Sequence, residues 1–301
     1  MFARTQSRFH EIRVRLENYS PRTAARRFWW EFFLFGFKQG WACLFGGALL
    51  ILLLLTKWLW PADAALARYD FLFLSALAIQ AILLLLRMET VREAQIIFIF
   101  HIIGTLMELF KTNVGSWIYP EPSLFRVGHV PLFSGFMYAA IGSYLARATR
   151  IFDMRYSSYP DRRLTVVLAV LIYVNFFTHH YAPDIRGFLF LLTGAAFGRT
   201  WVYYRPYRTW RRMPLLLGFG LVAFFIWFAE NVGTFTAAWL YPHQARGWEL
   251  VRLGKYGSWF LLMIISFILV SFVNPPRAPA RDADCGATLP RATHAGRRSP
   301  R

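Results

Sequence analysis

Acidic residues are scarce in this chain of 301 residues, which has 16 Asp and Glu against 34 Lys and Arg. Cysteine is scarcer still, and Cys43 and Cys285 fall in regions that cannot meet, which excludes a disulfide framework. The sequence lacks a phosphate-binding loop, a dinucleotide-binding glycine motif, a nucleophile elbow and an H-E-x-x-H zinc motif. No apolar core with a small-residue cleavage site follows the basic N-terminal residues, so we expect no cleavable signal peptide. These absences argue against the common soluble enzyme classes.

Long uncharged apolar blocks dominate instead, and the sequence is 56% hydrophobic and 19% aromatic. A helix of about 20 apolar residues crosses a bilayer, and only helices or closed barrels satisfy the backbone there. The blocks are too continuous for the alternating pattern of barrel strands. The predicted fold is therefore all-α, a polytopic membrane helix bundle with about eight transmembrane helices, at residues 37–57, 70–87, 94–110, 130–147, 164–181, 185–203, 213–230 and 256–274.

The net charge of +18 would suit a nucleic-acid-binding protein, but the basic residues are distributed among the segments between the apolar blocks. Of the 34 Lys and Arg, 25 fall on one side of the predicted spans and 8 on the other, and Lys38 lies at the inner end of the first span. This asymmetry is the positive-inside pattern, with both termini in the cytoplasm. The sequence therefore predicts membrane lipid as a partner and no nucleic acid, and it leaves the oligomeric state open.

Three regions follow from composition. Residues 1–33 form a basic cytoplasmic arm, which either lies on the membrane as an amphipathic helix or only fixes the orientation. Residues 34–275 form the transmembrane domain. Residues 276–301 are rich in Pro, Arg and Ala and have too little apolar surface to fold, so they are predicted to be a disordered cytoplasmic tail.

One motif, E-x8-W-x-Y-P, occurs twice, from Glu108 to Pro120 and from Glu230 to Pro242, at a spacing of 122 residues. With four predicted spans in each half, the two halves would have the same orientation, which indicates a possible parallel 4+4 internal repeat. A shared Asn-Val-Gly triplet, starting at Asn113 and Asn231, would instead align the halves at a spacing of 118 residues. We favour the first alignment because four residue types agree in it.

Glu108 is the first candidate catalytic residue, because ionisable groups inside membranes are costly unless they are used or paired. On a helix it shares one face with His101, Thr105 and Lys111. Two interpretations stay open. Glu108 is either a buried acid, with His101 as a proton relay and Lys111 as a ligand contact, or one half of a structural Glu108–Lys111 ion pair.

Glu230 is the second candidate catalytic residue. No Lys or Arg lies within a helical turn of it, so its carboxyl group is suited to hold a proton and to act as a general acid. The alternative is that Glu230 only marks the water boundary of the membrane. Asn231 beside it, and Ser134 at the start of the fourth span, are further candidates for binding a substrate.

The aromatic residues of the motif, Trp117, Tyr119, Trp239 and Tyr241, also have two interpretations. Trp and Tyr gather at membrane interfaces, which alone explains these residue types. Aromatic walls also stabilise cationic ligands, so the four side chains are candidate substrate contacts as well.

No metal site and no cofactor is predicted. His179 and His180 are adjacent, so on a helix they point about 100° apart and cannot easily bind one metal ion. No spacing of His, Cys, Asp or Glu matches a known metal-binding pattern.

The segments His101 to Glu121 and Val130 to Tyr138 together resemble the bacterial integral-membrane family known as domain of unknown function 817. The resemblance covers about residues 30–275 and implies a bacterial inner-membrane protein without an assigned activity. A looser similarity, a Glu followed by Gly, Trp and Tyr at a helix end, links the motif to membrane carotenoid hydratases and lycopene cyclases. Those enzymes are thought to protonate a polyene with an acidic residue.

The function expected from these features is that of a multi-pass inner-membrane protein with a polar site near the outer leaflet. That site would bind, or act by acid–base chemistry on, an apolar and isoprenoid-like lipid. The alternative is a proton-coupled transporter or channel for a small molecule, since such carriers combine parallel repeats with intramembrane acids.

Overall fold

The computed structural model describes residues 19, 21–61 and 63–279 of the chain, and these ranges are mainly helical. The nine α-helices of the described part are α1 (Ala24–Ala42), α2 (Leu44–Leu59), α3 (Arg68–Leu85), α4 (Val91–Asn113), α5 (Phe133–Ile151), α6 (Arg162–Thr178), α7 (Arg186–Phe197), α8 (Leu215–Phe235) and α9 (Gly254–Val273). The predicted helical class is confirmed. Most of the arm 1–33 and of the tail 276–301 lies outside the described residues.

Two small antiparallel sheets accompany the helices. One pairs β1 (Arg126–Val127) with β2 (Val130–Pro131) between α4 and α5. The other has the order β3-β4-β5 and joins three segments, Arg155–Ser157, Trp201–Tyr204 and Arg211–Pro214. A short 3-10 helix, Pro242–Gln244, lies between α8 and α9.

Four helices of the described part, α3, α4, α8 and α9, are long and apolar enough to cross a membrane. A fifth span is possible if α1 and α2, which meet at an angle of 72°, together form one. Each of the eight predicted spans overlaps a helix, but α7 has only 12 residues, about 18 Å at 1.5 Å per residue. Apolar character alone therefore establishes fewer spans than the sequence predicts.

Two predicted spans differ in shape from the structure. The first, expected as one helix over 37–57, is bent at Cys43. This residue is both the C-cap of α1 and the N-cap of α2. The sixth, expected over 185–203, ends at Phe197, and Trp201–Tyr204 then form a strand. The Trp-Val-Tyr-Tyr sequence of that strand consists of residues that favour strands, and hydropathy does not distinguish it from a helix end.

Helices α4 and α5 pack closely because glycines stand at their contact. A side chain on Gly104 would begin 2.7 Å from the Tyr138 ring, and one on Gly135 would begin 2.5 Å from the His101 ring. Small residues let membrane helices approach in this way. The approach brings the Tyr138 ring of α5 against the α4 face that contains Glu108.

Helices α4 and α8 end in the same hydrogen-bonded turn. After α4, the N–H groups of Gly115 and Ser116 donate to the carbonyls of Thr112 (3.1 Å) and Lys111 (2.9 Å). After α8, the N–H groups of residues 237 and 238 donate to the carbonyls of residues 234 and 233, both at 3.0 Å. These are Schellman caps, whose first residue beyond the helix adopts a positive φ. That residue is Gly115 (φ 73°) in one cap and Ala237 (φ 54°) in the other.

The start of α3 holds both segments that follow these caps. Arg68 donates to the carbonyl of Thr236 (2.9 Å) and pairs with Glu121 (2.5 Å). The hydroxyl of Tyr69 donates to the carbonyl of Ala238 (2.9 Å). One turn of α3 therefore fixes the two polypeptide segments relative to each other.

We expect opposite stability effects from exchanging the residue types of the two caps. Ala237→Gly should stabilise the protein by about 1 kcal/mol, because a left-handed conformation costs a non-glycine residue roughly that much. Gly115→Ala should destabilise it by about 1 kcal/mol, since the site has open space and only the backbone conformation is strained. The thermal unfolding midpoints of both variants and of the native protein, measured in the same detergent, test this. Midpoints that shift in the same direction for both variants would contradict the conformational explanation.

Candidate functional site

The two W-x-Y-P segments lie side by side where α4 and α8 end. Ile118 and Leu240, the variable residues of the two motifs, form an antiparallel bridge. Each donates its N–H to the carbonyl of the other at 2.9 Å. The two motifs therefore meet at equivalent positions, and their aromatic side chains surround this contact.

Glu108 is buried, with 4% of its surface exposed, and all its partners are aromatic. Its Oε2 accepts hydrogen bonds from Trp117 Nε1 and from the Tyr119 hydroxyl, both at 2.6 Å. Its Oε1 accepts from the Tyr138 hydroxyl at 2.7 Å. The Schellman turn reverses the chain after α4, which explains how residues nine and eleven positions later return to the carboxyl group. A buried carboxylate needs such donors to offset its lost hydration.

Glu230 is equally buried and has a related set of donors. Its Oε1 accepts a hydrogen bond from the Tyr241 hydroxyl, and its Oε2 accepts one from Trp259 Nε1. Trp239, the tryptophan of the second motif, packs over Gly233 instead. Trp259 at the start of α9 thus has the role that Trp117 has for Glu108.

Aromatic contacts connect the two carboxyl groups. The rings of Tyr138 and Trp259, which each donate to one of the glutamates, have centroids 6.2 Å apart. The rings of Trp117 and Tyr241 meet edge to face at 6.0 Å. The structure therefore brings together Glu108, Glu230, Trp117, Tyr119 and Tyr241 from the predicted set.

Lys111 does not form the ion pair with Glu108 that one interpretation of the sequence required. Although it is buried, its Nζ donates to the carbonyl of Phe176 (2.8 Å) and contacts His180 Nε2 (2.8 Å). Because an ammonium group can only donate, this contact requires a neutral imidazole whose Nε2 accepts. The ion-pair interpretation is wrong because Lys111 reaches the end of α6 rather than its own helix.

The other three predicted site residues, His101, Asn231 and Ser134, are not among the hydrogen-bond donors to Glu108 or Glu230. The ring centroids of His101 and Phe136 lie 4.3 Å apart. The main-chain carbonyl of His101 accepts a hydrogen bond from the Thr105 hydroxyl. Asn231 donates to the carbonyl of Trp227 and accepts from the N–H of Val251, both at 2.8 Å. Ser134 is buried beside Tyr119 at the start of α5.

A cavity of about 300 Å³ adjoins the aromatic cluster and contains Trp117 in its wall. Neither Glu108 nor Glu230 lines it. Its basic lining residues are Lys111, Arg186, Arg252 and Lys255, and its apolar lining residues include Ile172, Phe176, Leu261 and Leu262. Within the described ranges, no group of three or more His, Cys, Asp or Glu side chains is placed to hold a metal ion.

Sequence reasoning missed Tyr138, Trp259 and three of the basic residues in the cavity. Tyr138 and Trp259 lie almost at equivalent positions of the proposed repeat, since the spacing of 122 residues maps 138 onto 260. The sequence signal that could have identified them is an aromatic residue at or next to the equivalent positions 138 and 260. Arg186 and Arg252 gave no signal, because they fall in loops whose path the sequence does not reveal.

The comparison with protein families matches residues 31–267 to "Protein of unknown function (DUF817)". The chain belongs to this family. It is also 44% identical, over 237 residues, to the "Uncharacterized protein YoaT" of Bacillus subtilis (strain 168), with 79% of this chain and 89% of that protein covered. No solved structure matches the chain. The family resemblance drawn from the sequence is thus confirmed for this DUF817 member.

Two substitutions of Glu108 separate its hydrogen bonding from its shape. Glu108→Leu should destabilise the protein by about 3 kcal/mol or more, because three buried donors lose their acceptor. Glu108→Gln should cost only about 1 kcal/mol, because the Tyr138 hydroxyl can turn and accept from the new amide. Thermal unfolding in one detergent, with the exposed Glu249→Gln as a control, compares them. Equal losses for the leucine and glutamine variants would contradict the assigned hydrogen bonds.

Proposed function

We propose that the protein is an eight-span bacterial inner-membrane protein, with both termini in the cytoplasm, that binds an amphipathic, isoprenoid-like lipid near the outer leaflet. We further propose that this binding is linked to the protonation of Glu108 and Glu230. The observation that carries the proposal is the 300 Å³ cavity whose wall contains Trp117, the residue that donates to Glu108.

Equivalent features in two halves support the eight-span arrangement. A shift of 122 residues maps the end of α4, residue 113, onto the end of α8, residue 235, and it superposes the two Schellman caps. The same shift maps α5, residues 133–151, onto 255–273, where α9 lies. These features agree with the spacing of 122 residues rather than 118, and they support two halves of the same orientation. The charge asymmetry of the sequence supports cytoplasmic termini.

The link to protons follows from the donors around the carboxyl groups. A protonated carboxyl group has a hydrogen to donate, and a Tyr hydroxyl can accept it whereas a Trp N–H cannot. Protonation of Glu108 therefore requires Tyr119 or Tyr138 to reorient, or the hydrogen bond from Trp117 to break. Trp117 also lines the cavity, so a change in its hydrogen bond to Glu108 would alter the ligand site.

Acid–base chemistry on the bound lipid is the second candidate function. A catalytic acid must come within about 2.6–3.2 Å of the atom that it protonates, directly or through one water. Neither carboxyl group lines the cavity, which favours binding over chemistry. Trp117 nevertheless both lines the cavity and donates to Glu108, and this contact is the observation that supports the enzyme.

Farnesol binding tests the proposed function. With the protein in phosphatidylcholine nanodiscs, we expect farnesol to quench tryptophan fluorescence with an affinity that changes between pH 5 and pH 8. Glu108→Gln and Glu230→Gln should each reduce this pH dependence, and Glu249→Gln should not. No binding, or an affinity that is independent of pH in the native protein, would overturn the proposal. A farnesol-derived product that depends on Glu108, detected by mass spectrometry, would favour the enzyme.

A transporter would use the same site and would move one half of the proposed repeat relative to the other. A disulfide between the two halves tests whether ligand binding requires this movement. Bridged antiparallel residues have Cα atoms about 5.5 Å apart, within disulfide range, so Ile118→Cys with Leu240→Cys should cross-link on oxidation. Cys43→Ala and Cys285→Ser remove competing thiols. We expect the oxidised protein to keep its farnesol affinity. Loss of binding on oxidation, restored by reduction, would instead show that the halves must separate.

A further inference from the structure

We propose that the cavity beside the two glutamates holds a phosphate group, the anionic headgroup of the lipid ligand. This inference rests on the proposed function for the apolar part of that ligand. The argument for the phosphate headgroup is separate from the proposed function, because that argument comes from the charges that line the cavity.

The cavity has four basic residues in its lining and no acidic one among the described residues that surround it. Arg186 is partly neutralised by Asp184 (2.5 Å) and donates to the Ser258 hydroxyl (3.0 Å). Within the described ranges, no carboxylate lies within 4.0 Å of the charged nitrogens of Lys111, Arg252 or Lys255. Of the four basic residues, only Arg186 therefore has a carboxylate in direct contact, and Glu230 and Glu108 act on Lys255 from a greater distance.

The partners of the two lysines leave their charges available. The Nζ of Lys111 contacts the neutral carbonyl of Phe176, the face of the Phe176 ring and the ring of His180. Lys255 lies over the faces of Tyr241 (4.5 Å to the centroid) and Trp117 (5.4 Å). Buried cations without an anion are costly, and neutral acceptors and aromatic faces offset only part of that cost. An anionic ligand would offset the remainder.

The number and placement of the cations favour phosphate over carboxylate. They come from three parts of the fold, namely the end of α4, the start of α7 and the segment entering α9. A carboxylate has two oxygens and is satisfied by one guanidinium, whereas a phosphate monoester presents three charged oxygens to several donors at once. The apolar wall formed by Ile172, Leu261 and Leu262 lies in the same cavity and would contact the chain of a lipid phosphate.

The test compares farnesyl phosphate, farnesol and inorganic phosphate with the full-length protein in phosphatidylcholine nanodiscs. We expect farnesyl phosphate to bind at least roughly tenfold more tightly than farnesol, with a preference that weakens as salt rises. Equal affinity for the two would overturn the phosphate site and leave the lipid-binding function standing. Tight binding of inorganic phosphate alone would confirm the anion site and overturn the lipid ligand. Binding of none of the three would overturn both.

Matched arginine variants locate the effect. Arg252→Gln changes an exposed residue of the cavity wall and should weaken farnesyl phosphate binding by roughly tenfold, a much larger effect than on farnesol binding. Arg246→Gln removes the same charge from an exposed residue outside the cavity lining and should change neither. Equal weakening by both variants would overturn the assigned site, because it would show an effect of net charge only.

Discussion

A carboxylate buried among apolar helices must receive hydrogen bonds, and the arrangement around Glu108 and Glu230 depends on this constraint. Five aromatic side chains supply the donors, three to Glu108 and two to Glu230. Trp and Tyr suit this task because each buries a large apolar ring and has one polar atom to donate. The bundle can therefore enclose two acids without placing a basic residue against either.

The turns, caps and helix contacts at the ends of α4 and α8 position those hydrogen-bond donors. The Schellman caps reverse the chain, and Arg68 and Tyr69 at the start of α3 hold the two returning segments together. Close packing of α4 on α5 brings in Tyr138, and the start of α9 brings in Trp259. The basic residues of this region do not pair with the two glutamates and instead line the cavity next to the aromatic cluster. Lys255 thus contacts the Trp117 and Tyr241 rings, which donate to Glu108 and Glu230, rather than the carboxyl groups themselves.

The sequence predicted the helical class and the family, and it singled out the two glutamates with the aromatic residues of their motifs. Those predictions depend on local pattern, that is, on apolar runs and on a motif repeated at fixed spacing. The bend at Cys43 and the short α7 were missed, because hydropathy measures burial in lipid and not helix continuity. The partner of Lys111 was also missed. Helical spacing placed Lys111 near Glu108, but its long side chain reaches a carbonyl on α6, and only tertiary structure reveals that contact.

The hydrogen bonds between Ile118 and Leu240 are made by main-chain atoms. Every amino acid except proline has the N–H that this contact needs, so the identity of the side chain at these two positions has little influence on it. The two segments can therefore keep their alignment while positions 118 and 240 change freely in sequence. The residues at the centre of the junction would then be among the least informative in a comparison of sequences, although the geometry of both acid sites depends on where they lie.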